Sequence, residues 1–69
     1  MNVGESIRAR RQALGITQAD MAARLGVAPS MVCQIERGSK APSLPLAVEI
    51  ARLLGCSIDA LCGGKEVNV

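Results

Sequence analysis

The stretch Thr17–Gly38, T-Q-A-D-M-A-A-R-L-G-V-A-P-S-M-V-C-Q-I-E-R-G, decides how this chain folds. Thr17 followed by Asp20 gives the T-x-x-D spacing of a capped helix start, and Ile16 with Met21 fall at the positions of a hydrophobic staple. From there Met21, Ala22 and Leu25 share one face, and Gly26 stops the helix after about two turns. A helix this short is unstable alone and must pack on its neighbours. Only Gly26, Val27 and Ala28 intervene before Pro29, whose missing N–H costs nothing at the first helical position. The next helix runs to Arg37 with Met31, Val32 and Ile35 turned inward. Its other side carries Pro29, Ser30, Cys33, Gln34 and Arg37, one continuous and mostly polar face.

Two helices joined this tightly cross at a steep angle, which is the geometry of a helix-turn-helix unit over residues 17–37. Upstream, Asn2 and Glu5 form a second capping box, opening a helix from about Val3 to Leu14 that ends at Gly15. Its inner stripe reads Val3, Ile7 and Leu14, and Arg11 lies on that same stripe. A guanidinium there either snorkels to the rim or meets a buried carboxylate. Downstream, Ser43 caps a fourth helix that turns Leu46, Ala47, Ile50, Leu53 and Leu54 inward and stops at Gly55. Ser57 caps a last short helix with Ile58 and Leu61, with Cys56 and Leu61 as its staple. Alternation of β-branched residues is missing throughout, so the expectation is an all-α, compact five-helix domain over residues 1–62 and a flexible tail over 63–69.

Composition narrows the function. Sixty-nine residues allow one domain, and 49% apolar content is enough for one core. The chain has no Phe, Trp or Tyr, which removes the aromatic platforms on which single-stranded nucleic acid stacks. It has no His, so neither a His-based catalytic triad nor a zinc site with His ligands is available. No paired acid–base constellation stands out, and the expectation is a non-enzyme without metal, cofactor or small-molecule ligand. Cys33, Cys56 and Cys62 are odd in number and contain no CxxC, so they read as thiols in a reducing compartment. No apolar run reaches the ~18 residues of a membrane span and Met1 opens no signal-peptide pattern, which points to the cytoplasm. Residues 1–40 carry six cations and three anions, whereas residues 41–69 carry two cations and three anions. The positive excess therefore sits on the helix-turn-helix half, as a polyanionic partner requires.

The quoted stretch, followed by K-A-P-S at residues 40–43, resembles the xenobiotic-response-element family of helix-turn-helix regulators, the phage Cro and repressor type. The resemblance runs from about Ile7 to Leu61. It implies a domain that inserts its third helix, about 29–37, into the major groove of double-stranded DNA. By position, Pro29, Ser30, Cys33 and Gln34 fall where the family faces bases. A Gln can bond an adenine edge bidentately and Ser is a versatile partner, while Pro29 offers only van der Waals contact. Gln18, beside the cap Thr17, falls where the family grips a phosphate, and Arg37, Ser39 and Lys40 fall where it contacts the backbone. Glu36 matches a position that pairs with an Arg of the first helix, for which Arg11 is the candidate. The family further implies a transcriptional repressor binding an inverted-repeat operator as a homodimer. The competing expectation is a protein-interaction module on the same scaffold, such as an antitoxin or adaptor component.

Overall fold

The computed structural model describes residues 2–61, which form five helices: α1 Val3–Ala13, α2 Gln18–Leu25, α3 Pro29–Arg37, α4 Leu44–Leu54 and α5 Ile58–Leu61. No strand occurs among the described residues, and none of these helices is long and apolar enough to cross a membrane. The expected tail over 63–69, and Cys62, lie outside the described residues.

Local chemistry starts α1, α2, α4 and α5 where a side chain can satisfy their first amides, whereas α3 opens on Pro29 after Ala28 with no side-chain cap. The Asn2 Oδ1 accepts from the Glu5 amide at 2.8 Å, and the Glu5 carboxylate accepts from the Asn2 amide at 3.3 Å. At α2 only half of such a box forms. Thr17 Oγ1 accepts from the Asp20 amide at 3.0 Å, but Asp20 is one methylene shorter than Glu and its carboxylate pairs instead with Arg24, 3.3 Å away. Ser43 and Ser57 cap α4 and α5 by accepting from the amides of Leu46 and Ala60.

The core is built from the inner faces of all five helices: Ile7, Met21, Ala22, Val32, Ile35, Ile50, Ala51, Leu54 and Leu61. Leu14, placed on the inner stripe by periodicity, is 54% exposed and outside the core. The helix ends at Ala13, and the Ile16 amide turns back to the Arg11 carbonyl at 3.1 Å, so Ile16 rather than Leu14 packs on the core. On α4 the buried seam runs through Ile50, Ala51 and Leu54, with Leu46, Ala47 and Leu53 half-buried at its margin. Ala51 stands one turn after Ala47 and three residues before Leu54, so helical period puts it on this face, and the sequence reading missed it.

Candidate nucleic-acid interface

The candidate surface is built on α3, and its orientation is set from below. Val32 and Ile35 are buried under the helix, and Glu36 on the same side is also buried, leaving α3 one rotational setting. Pro29, Ser30, Gln34 and Arg37 are consequently exposed, and Cys33 is half-buried as a free thiol. The turn from α2 depends on Gly26, at φ 74°, a conformation a Cβ disfavours. It lets the Val27 amide return to the Ala22 carbonyl at 3.0 Å, so α3 starts directly across the end of α2.

Two further segments carry the remaining candidate contact residues. At the α2 start, Thr17 is exposed and Gln18 half-buried. The Thr17 oxygen is used as an acceptor by its own helix, which leaves the hydroxyl hydrogen free to donate outward. At the other end, the amides of Ser39 and Lys40 both donate to the Gln34 carbonyl, at 2.9 and 3.3 Å. Those bonds hold the two exposed residues against the end of α3 beside Arg37.

Behind the face lies a buried ionic network. Arg11, 7% exposed, donates from Nε to Glu36 Oε2 at 2.6 Å and from Nη2 to Glu36 Oε1 at 3.1 Å. Its Nη1 donates to the Ile16 carbonyl at 2.7 Å, so this guanidinium is held in three directions. Glu36, 6% exposed, also accepts from Gln18 Nε2 at 2.9 Å. Burial pushes the Glu36 carboxyl up, but hydrogen bonds from Arg11 and Gln18 and the charges of Arg11 and Arg8 outweigh it and hold the group below its ordinary range. The bond to Glu36 holds Arg11 above its ordinary value against the opposing effect of burial. Among the described residues no buried side-chain nitrogen or oxygen lacks a partner.

By sequence Gln18 is expected to contact a phosphate, and the structure gives it a second connection, to the Arg11–Glu36 pair. That second connection was missed. Its signal was available in the chemistry, because a buried carboxylate has more lone pairs than one guanidinium fills. Gly4 was missed as well. It packs so closely on the end of α3 that a Cβ there would meet the Ile35 carbonyl oxygen at 2.5 Å.

A sequence model of the helix-turn-helix family matches residues 7–61 of this chain. An uncharacterised HTH-type transcriptional regulator of Methanothermobacter thermautotrophicus is 47% identical over 49 residues, 71% of each chain. The cryptic phage CTXphi transcriptional repressor RstR of Vibrio cholerae is 36% identical over 91% of this chain, which spans 56% of that protein. Among solved structures, the P22 c2 repressor in complex with a synthetic operator superposes with a TM-score of 0.88 at 35% identity, covering 94% of this chain and 98% of that one. The hydroxypropylphosphonic acid epoxidase of S. wedmorenis superposes with a TM-score of 0.80 at 33% identity, but over only 32% of its own length. That likeness therefore concerns one part of a longer enzyme. Matched over most of its length, and through the five helices that carry the surface just described, the chain belongs to the helix-turn-helix family, in its xenobiotic-response-element and phage Cro type.

Proposed function

We propose that this chain is a transcriptional repressor that binds double-stranded DNA by laying α3 in the major groove. One observation carries the reading: Val32, Ile35 and Glu36 are buried on one side of α3, and the opposite side exposes Ser30, Gln34 and Arg37. On this reading Gln34 and Ser30 bond base edges, Pro29 and Cys33 supply van der Waals contact, and sequence preference leans in part on DNA shape. Thr17, Gln18, Arg37, Ser39 and Lys40 hold phosphates and fix the register. The relatives named as transcriptional regulators, and the operator bound by the P22 c2 repressor, support it.

The chain acts without chemistry, by occupying a promoter in the cytoplasm. Its unit on DNA is a homodimer whose recognition helices address an inverted repeat, about one turn or ~34 Å apart. The apolar side chain of Leu44, 71% exposed beside Ala41 and Pro42, supports a contact between two such copies. Selection of duplexes from a random pool, followed by titration at low and moderate salt, tests the reading. Enrichment of an inverted repeat, with affinity falling steeply as salt rises, is the expected result. A chain that enriches no duplex and binds none at low salt is not a DNA-binding regulator, and the interaction-module reading then takes its place.

A further inference from the structure

Gln18 is the first residue of α2, and its amide does not point freely into solvent. The Nε2 atom donates to Glu36 Oε1 at 2.9 Å, and Glu36 lies on α3, the helix proposed to read bases. This contact fixes which way the amide faces, because the reverse setting would press the amide oxygen against a carboxylate. One Nε2 hydrogen is then committed to Glu36 and the other remains for an outside acceptor. Arg11 neutralises the carboxylate through two hydrogen bonds, so an approaching phosphate meets no net negative charge at this point. Arg11 also holds the Ile16 carbonyl, just before the Thr17 cap. The start of α2 and the end of α3 are thereby locked to each other through α1.

Building on the DNA-binding reading, we infer that Glu36 is a positioning residue for DNA: it holds the Gln18 amide so that its second Nε2 hydrogen faces a backbone phosphate, in register with the helix that reads the bases. The Arg11–Glu36 pair therefore orients a DNA contact as well as joining helices. A long Gln side chain otherwise loses rotamer freedom only on binding, and the loss is subtracted from affinity.

A double-mutant cycle on operator affinity tests this, using a duplex selected by the wild-type chain and anisotropy at fixed salt. Arg11 and Glu36 are replaced together by Met, which fills the seam with apolar groups and leaves no buried charge alone. In the wild-type background Gln18→Ala costs about tenfold in affinity. In the R11M/E36M background affinity has already fallen by about that factor, and adding Gln18→Ala costs less than about twofold more. Should R11M/E36M fail to fold, Glu36→Gln and Glu36→Asp replace it. Glu36→Gln keeps an oxygen opposite Gln18 and retains the full cost of Gln18→Ala, whereas Glu36→Asp draws the carboxylate back and reduces that cost. An equal cost of Gln18→Ala in every folded background overturns the positioning role while leaving DNA binding intact. A wild-type chain that binds no duplex overturns both.

Discussion

A Cβ atom on Gly4 would stand 2.5 Å from the carbonyl oxygen of Ile35 and 2.6 Å from that of Glu36. The absence of a side chain in the first turn of α1 therefore decides how closely α1 lies on the end of α3. Both atoms are backbone, so no rotamer change can make room. Replacing a helical Gly by Ala ordinarily stabilises by about 1 kcal/mol. Here overpacking, about 1–3 kcal/mol, opposes that gain and is expected to exceed it. Gly4→Ala should lower the urea midpoint, and Gly4→Val should lower it further. A higher midpoint for the alanine variant would mean that the two helices are less tightly apposed.

The buried Glu36 carboxylate makes a distinct prediction about acid. Its folded pKa lies below its unfolded value, so the stability it contributes is fully present above about pH 4.3 and is lost as pH falls through the folded value. The wild-type melting temperature should accordingly drop on acidification below that point. Glu36→Gln should melt lower at neutral pH, because Arg11 loses its charge partner, and should show a shallower acid decline. Parallel acid limbs for the two proteins would assign the decline to other carboxylates.

Features set within a few residues were legible in the sequence. The caps Asn2, Thr17, Ser43 and Ser57 and the turn at Gly26 depend on local hydrogen bonds and backbone angles, and all stand where the sequence puts them. The split of α3 into a buried side with Val32 and Ile35 and an exposed side with Ser30 and Gln34 follows from helical period alone. Leu14 shows where period stops informing: it shares the angular position of Ile7, but the chain turns away before any element covers it. Gly4 against Ile35 and Gln18 against Glu36 are contacts between residues distant in the chain; the spare lone pairs of a buried Glu36 call for a further donor without saying which, and Gly4 gives no sign of its partner.

Gln34 is exposed in the middle of the outward side of α3, four residues after Ser30 and therefore one turn from it. If it reads a base edge, Gln34→Ala should weaken binding to the selected duplex by about 1–3 kcal/mol while leaving scrambled duplex nearly unaffected. The ratio of the two affinities, measured at one salt concentration, is the readout. A uniform loss on both duplexes would remove Gln34 from the base-reading set.

Arg37 occupies the last position of α3 and is exposed, next to the segment where the Ser39 and Lys40 amides are tied to the Gln34 carbonyl. A guanidinium at that place is suited to a phosphate, because its charge acts on the backbone whichever base lies nearby. Each neutralised phosphate releases condensed counterions, so every such contact adds about 0.9 to the slope of log affinity against log salt. Arg37→Ala should therefore weaken selected and scrambled duplexes alike and flatten that slope by about one unit. Lys40→Ala should do the same independently, and the double variant should flatten it by about two. A slope that stays constant while selected duplex alone is bound more weakly would move Arg37 from the phosphates to a base, since only a contact that releases no ion leaves the salt dependence untouched.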